Sequence, residues 1–79
     1  MGGFPIPVPS VLDGLVVVGV EANRKVYKDK SENRYYTWDS LHGEIEVFNK
    51  RGMHLGVVDP VTGIVIKPAV RGRGISKQN

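Results

Sequence analysis

Two strand-like patterns and a short polar connection make up the segment Arg34-Tyr35-Tyr36-Thr37-Trp38-Asp39-Ser40-Leu41-His42-Gly43-Glu44-Ile45-Glu46-Val47-Phe48. Four of residues 34–38 are aromatic or β-branched, which favours a strand. Residues 44–48 alternate, so Ile45 and Val47 should lie on one face of a strand, with both glutamates and Phe48 on the other, exposed face. The segment therefore predicts two antiparallel strands joined by a tight connection.

The flanking segments extend this pattern into a meander. Residues 15–20 form a β-branched apolar run, which predicts a strand with little exposure to solvent. Residues 25–28 alternate, and predicted turns at residues 49–52 and 59–63 separate two further strand-like segments. We therefore predict a mainly β fold (α+β at most), built as a small twisted antiparallel sheet of four to five strands.

The first residues differ in composition from the rest. Prolines at positions 5, 7 and 9 remove backbone donors and favour extended geometry. Ser10 is the predicted cap of a short N-terminal helical turn, which Gly14 would end. The predicted organisation is a proline-rich arm or linker over residues 1–14 and one domain over residues 15–79.

Composition narrows the range of chemistry that the chain can perform. The 79 residues include no cysteine, which excludes a disulfide framework and a thiolate metal site. His42 and His54 do not match the usual zinc-ligand spacing, so we expect neither a metal nor another cofactor. Residues 11–20 are too few and too interrupted to span a bilayer, and no basic signal-peptide start precedes them. Export is therefore expected to depend on an attached protein.

Charge is unevenly distributed along the chain, whose net charge is +3. Basic residues concentrate in residues 24–34 and 67–79, whereas residues 38–49 hold Asp39, Glu44 and Glu46 and no lysine or arginine. Carboxylates flanked by cationic segments suit an enzyme that binds a polyanion and transfers protons on it. An unevenly charged solvated surface is an equally good interpretation of composition alone.

Asp39, His42 and Glu46 are the candidate reactive residues. Their spacing would align them on a helix, but Gly43 and the alternation after it favour a hairpin-like path that brings Asp39 and His42 near Glu46. RNA self-cleavage needs a base for the ribose 2′-hydroxyl, an acid for the departing 5′-oxygen and a cation for the phosphate, without a metal. Spacing alone leaves open a non-catalytic RNA- or protein-binding β-domain with solvated carboxylates and a structural histidine.

A resemblance adds to this interpretation. The colicin-type (cloacin) 16S ribosomal RNA ribonucleases have an active-site segment that closely resembles Tyr36-Thr37-Trp38-Asp39-Ser40-Leu41-His42-Gly43-Glu44-Ile45-Glu46. The resemblance continues, with matching distances, through His54-Leu55-Gly56, Asp59-Pro60-Val61-Thr62-Gly63 and Arg73-Gly74-Ile75. It covers roughly residues 24–75, in several separate blocks.

The family implies a highly twisted antiparallel sheet and a single cut in the decoding site of 16S ribosomal RNA within the 30S subunit. Carried over residue by residue, it implies Glu46 as general base, His42 as general acid and Asp39 as the residue that orients His42. The roles of His42 and Glu46 are open to exchange. Arg73 would stabilise the phosphate in the transition state, with Arg71 as the alternative.

Other side chains are predicted to bind substrate around this set. Phe48 could stack on an unpaired base or simply form part of an aromatic patch, and His54 is expected to be structural. Phosphates would be held by basic side chains at Lys25, Lys28, Lys30, Arg34, Lys50, Arg51 and Arg71.

The front end departs from the family pattern, because an apolar strand and a proline-rich arm replace the lysine-rich sequence of the colicin domains. This difference favours the C-terminal toxin domain of a contact-dependent growth inhibition (CdiA-like) protein over a colicin-like bacteriocin. Such a toxin is exported or displayed on the cell surface and acts in the target bacterium's cytoplasm. We expect an acidic cognate immunity protein, a monomer outside that complex and no stable membrane association. Transfer RNA is the alternative substrate.

Overall fold

Six strands form one antiparallel sheet in the computed structural model, which describes residues 3–31 and 33–76. Each strand pairs with its neighbour in the sequence, so the spatial order is the chain order. The strands are β1 (Val16–Glu21), β2 (Arg24–Asp29), β3 (Arg34–Asp39), β4 (Glu44–Phe48), β5 (His54–Val58) and β6 (Val65–Pro68). The predicted mainly β, antiparallel class is confirmed, but the predicted number of four to five strands is too low.

The predicted N-terminal helical turn is wrong, because residues 3–31 and 33–76 contain no helix. Residues 10–15 instead form two hydrogen-bonded turns, with Asp13 N–H donating to the Ser10 carbonyl and Leu15 N–H to the Leu12 carbonyl, both at 3.1 Å. Ser10 Oγ does cap the turn, accepting from Leu12 N–H at 3.1 Å. Gly14 has a φ of 81°, outside the right-handed helical region, so the turns do not continue into a helix.

The first residues lie against the sheet. Leu12 is buried, Val11 N–H donates to the Pro60 carbonyl at 2.8 Å, and Trp38 Nε1–H donates to the Phe4 carbonyl at 3.0 Å. The division into residues 1–14 and 15–79 stays a prediction; positions 1, 2, 32 and 77–79 lie outside the described residues. No helix in the described part of the chain is long and apolar enough to cross a membrane.

The alternation of residues 44–48 separates the two faces of the sheet as predicted. Ile45 and Val47 belong to the larger hydrophobic cluster on one face, here called the core face, together with Leu12, Tyr36 and Val58. On the other face, here called the cleft face, a smaller cluster contains Val26, Tyr35 and Phe48. Ile45 on the core face and Val26 on the cleft face are both fully buried, so each face of the sheet has a covered centre.

Strand β1 is far more exposed than its apolar sequence predicts. Val16, Val17 and Val20 are all exposed, with Val20 at 68%. β1 is an edge strand, and among the described strands it pairs only with β2. β-branched residues satisfy the conformational preference of a strand whether or not another layer covers them, so the run predicted the strand correctly and its burial wrongly.

Residues 69–76, here called the C-terminal segment, return from β6 to the turn between β4 and β5. Arg73 carbonyl accepts from His54 N–H at 3.1 Å, and Ile75 N–H donates to the Gly52 carbonyl at 2.8 Å. Gly52 has a φ of 85°, and a Cβ there would overlap the Ile75 carbonyl oxygen. Glycine at position 52 therefore lets the C-terminal segment dock against the sheet.

The turn between β1 and β2 contains a strained residue. Ala22 and Asn23 have φ values of 51° and 65°, the left-handed pair that a two-residue turn between antiparallel strands requires. A side chain with a Cβ costs about 1–2 kcal/mol in this region, whereas asparagine tolerates it better and glycine adopts it freely.

Replacing Ala22 by glycine should stabilise the protein. We expect Ala22→Gly to raise the free energy of unfolding by about 0.5–1 kcal/mol, after the greater freedom of glycine in the unfolded chain is subtracted. Thermal denaturation should show a Tm higher by roughly 2–8 °C. Ala69, which is exposed and has no positive φ, is the matched control, and Ala69→Gly should lower the Tm. A lower Tm for both variants would contradict the assigned strain.

Candidate active site

A cleft of about 610 Å³ opens on the cleft face, between the ends of β2, β3 and β4 and the C-terminal segment. All four predicted catalytic residues line it, although they span 35 positions of the chain, from 39 to 73. The charged and titratable side chains that line it are Glu21, Arg24, Asp39, His42, Glu44, Glu46, Lys67 and Arg73. The cleft thus combines carboxylates, one imidazole and three cations.

The β3–β4 hairpin places Asp39 and His42 beside the β4 carboxylates. Asp39 ends β3 and pairs with Glu44, and Thr37 pairs with Glu46, so these side chains share the cleft face. The four-residue connection, residues 40–43, then carries His42 back over the strand ends. The hairpin-like path predicted from Gly43 and the alternation is the one that the chain follows.

Asp39 fixes both the backbone and the ring of His42. Its Oδ1 accepts from the N–H groups of Leu41 and His42 at 3.0 and 3.2 Å, and its Oδ2 lies 2.8 Å from His42 Nδ1. A carboxylate at Nδ1 holds the proton on that nitrogen, which leaves Nε2 of the half-exposed ring for proton exchange with a substrate. This is the geometry of an oriented acid–base histidine.

The same contacts hold the pKa of Asp39 below its ordinary value. Burial raises the pKa, but the hydrogen bonds from the His42 side chain and backbone and the charges of His42 and Arg24 together outweigh it. Asp39 is therefore an ionised acceptor at neutral pH.

Glu46 is buried, not exposed as the alternation suggested, with only 8% of its surface accessible. Oε1 accepts from Arg73 Nη1 at 3.0 Å and Oε2 accepts from Arg24 Nη1 at 3.3 Å. His54 Nε2 approaches Oε1 at 3.1 Å. The prediction overlooked the C-terminal segment, which returns over this face and carries Arg73 onto the carboxylate. Burial of an unpaired carboxylate would be costly, and two guanidinium groups offset that cost.

The two candidates for the catalytic cation, Arg73 and Arg71, differ in whether they reach the cleft. Arg73 contacts Glu46 inside the cleft, and half of its side chain is exposed, so it has donors left for a phosphate. Arg71 lies in an exposed turn and does not line the cleft.

Two residues of the cleft that sequence reasoning did not assign to the site are Arg24 and Lys67. Arg24 bridges Glu46 and, at 3.8 Å, the Oδ1 of Asp39. Lys67 Nζ donates to Glu44 Oε1 at 2.9 Å. The register between the strands brings each to its partner, 22 and 23 positions away, and no local pattern encodes that register. In the sequence, these two residues were distinguished only by their positions in the basic segments, residues 24–34 and 67–79.

His54 was assigned a structural role and lies at the site. Its side chain is fully buried, and Nε2 lies beside the Glu46 carboxylate. Side chains alternate along a regular strand, so a regular β5 with Val57 on the cleft face would place His54 on the core face. The sequence pattern therefore gave no indication that His54 faces the cleft.

Phe48 and the other predicted substrate-binding residues lie elsewhere or are covered. Phe48 is 3% exposed and packs in the smaller cluster, edge-on to His54 at 5.5 Å between centroids, so its ring is not an open stacking surface. The ammonium of Lys28 lies over the Tyr35 ring. In the described part of the chain, the predicted phosphate-binding residues lie outside the cleft lining; they are Lys25, Lys28, Lys30, Arg34, Lys50, Arg51 and Arg71.

Asp39, His42 and Glu44 could also hold a metal ion. One ligand atom from each lies within 4.8 Å of the others. Glu44 already pairs with Lys67, and Asp39 with His42, so a cation would compete with these contacts. Our expectation of a site without metal stays a prediction.

Comparisons with known proteins agree with one another. A family model described as Cytotoxic matches residues 7–76. The chain is 44% identical over 52 residues to cloacin of Escherichia coli, which covers 65% of this chain and 9% of cloacin. It is 40% identical over 55 residues to colicin E3 of Escherichia coli, covering 68% of this chain and 10% of colicin E3. The chain thus spans about a tenth of the length of these relatives.

The Asp39–His42 contact generates a pH-dependent prediction. Asp39→Asn keeps an oxygen for the backbone donors but removes the charge, and charged hydrogen bonds of this kind contribute about 1.5–3 kcal/mol. Because the folded-state pKa is lowered, the stabilisation is present above the unfolded pKa of about 3.9 and is lost as pH falls through the folded value.

Urea unfolding of the wild type and Asp39→Asn at pH 7 and pH 3 will measure this effect. The difference in free energy of unfolding between the wild type and Asp39→Asn should be largest at pH 7 and shrink towards pH 3. A gap of the same size at both pH values would show that the charge of Asp39 contributes nothing.

Proposed function

The chain belongs to the Cytotoxic family, and we propose that it is the catalytic domain of a bacterial toxin, an endoribonuclease that cuts 16S ribosomal RNA in the decoding site and stops translation. The observation that carries the proposal is the convergence, in one cleft, of an Asp39-oriented His42 and a Glu46 held by two arginines. The choice of 16S RNA rests on the resemblance of residues 36–46 to the colicin-type enzymes.

The proposed reaction is an intramolecular transesterification. Glu46 removes the proton from a ribose 2′-hydroxyl, and the 2′-oxygen forms a bond to the adjacent phosphorus. The bond from phosphorus to the 5′-oxygen breaks, and His42 gives its Nε2 proton to that oxygen. The products are a 2′,3′-cyclic phosphate and a free 5′-hydroxyl, with one proton taken up and one released.

The cations supply electrostatic stabilisation. In the free protein, Arg73 and Arg24 each use one Nη1–H on Glu46. Both side chains are about half exposed, so their remaining donors can bind the non-bridging oxygens of the phosphate as negative charge develops there. This scheme needs no metal ion.

The intact protein is proposed to be a larger toxin that is exported or displayed on the cell surface. The chain would be its C-terminal tip, delivered into the target cytoplasm by a contact-dependent growth inhibition (CdiA-like) protein or a bacteriocin. The producer is protected by a cognate immunity protein, and the net charge of +3 favours an acidic one. Outside that complex the domain acts as a monomer, without stable membrane association.

Purified 70S ribosomes provide the direct test of substrate and site. We expect the wild-type domain to produce one cut near the 3′ end of 16S RNA, mapped by primer extension. His42→Ala and Glu46→Gln should each slow the cut at least about 100-fold, the usual contribution of acid–base catalysis. Asp13→Asn, in the exposed turn outside the cleft, is the control and should cut normally.

The same experiment separates the rival functions. Intact ribosomes with degraded transfer RNA would replace the proposed substrate by the alternative one. Equal cutting by wild type, His42→Ala and Glu46→Gln would contradict the assigned mechanism.

A decoding-site RNA hairpin tests the chemistry without the magnesium that ribosomes require. The cut should persist in excess EDTA and leave a 2′,3′-cyclic phosphate, identified by mass spectrometry. A hairpin with a single 2′-deoxyribose at the cut position should stay intact, since the nucleophile is missing. Cleavage of the deoxy hairpin, or activity that EDTA abolishes and Mg²⁺ restores, would overturn the proposed metal-independent attack by the 2′-hydroxyl.

A further inference from the structure

A β-bulge at the start of β5 turns His54 towards the cleft. Val47 pairs with Gly56 and Phe48 with His54, so Leu55 has no partner in β4. Without this extra residue, His54 would lie opposite Asn49 and point to the core face. The bulge puts His54 on the same face as Phe48 and Glu46, and bulges commonly re-aim side chains beside active sites.

The contacts of the His54 ring define its protonation. Val70 N–H donates to Nδ1 at 2.9 Å, so Nδ1 is an acceptor and carries no proton. The proton of the neutral ring is therefore on Nε2, the atom 3.1 Å from Glu46 Oε1. That approach is close but poorly aligned for a hydrogen bond, and Nε2 has no other partner.

The surroundings favour this neutral form. Burial lowers the pKa of His54; the neighbouring Glu46 charge opposes the shift, and the Arg73 charge adds to it. Glu46 on β4 and Arg73 on the C-terminal segment are the charged groups that face the ring, and the Phe48 ring packs on its side.

His54 also holds the part of the chain that carries Arg73. Its backbone N–H donates to the Arg73 carbonyl at 3.1 Å, while its ring accepts from Val70. One residue thus contacts Glu46 and both ends of the Val70–Arg73 turn. Arg73 in turn donates to the same Glu46 oxygen that His54 approaches.

We infer that His54 is a positioning residue: as a neutral Nε2–H imidazole it docks the Val70–Arg73 turn on the sheet and sets the relative placement of Arg73 and Glu46. It does not exchange protons with the substrate. The inference rests on the proposed function for its kinetic test, and its structural part can be tested independently.

Three substitutions separate the contacts. His54→Asn keeps an oxygen for Val70 N–H and loses the donor to Glu46. His54→Gln keeps an N–H directed at Glu46 and loses the acceptor for Val70. His54→Phe loses both and retains the aromatic packing against Phe48.

Cleavage of the decoding-site hairpin will give kcat and KM for each variant. We expect His54→Phe to lower kcat roughly 10- to 100-fold, the usual effect of displaced catalytic groups. KM should change less than about 3-fold. His54→Asn and His54→Gln should each retain part of the kcat that His54→Phe loses. A general-base or general-acid role would predict no restoration by either amide.

A double-mutant cycle with Arg73→Ala tests whether His54 acts through Arg73. If it does, Arg73→Ala should have a large effect in the wild type and less than about a 3-fold further effect in His54→Phe. If the loss of kcat in the double variant equals the product of the losses in His54→Phe and Arg73→Ala, the two residues act independently and the inference is overturned.

Measurements on the wild type and the amide variants keep the inference testable if His54→Phe fails to fold. Nitrogen-15 NMR should show the neutral Nε2–H tautomer of His54 at pH 7, and the Val70 amide should exchange slowly in the wild type and faster in His54→Gln. An Nδ1–H or doubly protonated ring at pH 7 would overturn it. If the wild type cuts no RNA, the proposed function fails, while these NMR results still decide the role of His54.

Discussion

A carboxylate that is almost excluded from water needs compensating charge, and Glu46 obtains it from distant parts of the chain. Arg24 reaches it from β2, Arg73 from the C-terminal segment, and the His54 ring closes the remaining side from β5. These contacts tie β2, β5 and the C-terminal segment to the central β3–β4 hairpin. The Glu46 carboxylate is consequently the group on which the two arginines of the cleft and the His54 ring converge, and the proposed chemistry depends on it.

Local patterns were sufficient for the central hairpin and for one half of the site. The alternation in residues 44–48 set the two faces correctly, and Asp39 and His42 are close in sequence, so a tight connection was enough to bring them together. The strand count and the exposure of β1 were wrong for a common reason. Strand propensity reports backbone preference, whereas strand partners and covering layers depend on the rest of the molecule.

The other half of the site depends on register and on one irregularity. Arg24 and Lys67 reach their carboxylates only through pairings that span more than 20 residues. His54 faces the cleft because Leu55 is an extra residue in β5, and a single-residue shift reverses every side chain that precedes it. Arg73 was found through the resemblance, but its burial of Glu46 was not foreseen, because no periodic pattern marks the path of an irregular segment.

The chain-order arrangement of the strands has a consequence for the order in which the protein forms its contacts during folding. Each strand pairs with the one before it, so the sheet is assembled from contacts that are short along the chain and entropically cheap to close. The ion pairs in the cleft, of Arg24 and Arg73 with Glu46 and of Lys67 with Glu44, are by contrast long-range. A chain that is still emerging from a ribosome or a translocation pore can build its central hairpin early, yet it acquires the Arg73 contact only when the C-terminal segment has emerged and docked. Formation of the central sheet and completion of the cleft are thereby separated in time, because the cleft lacks Arg73 until the C-terminal segment has docked.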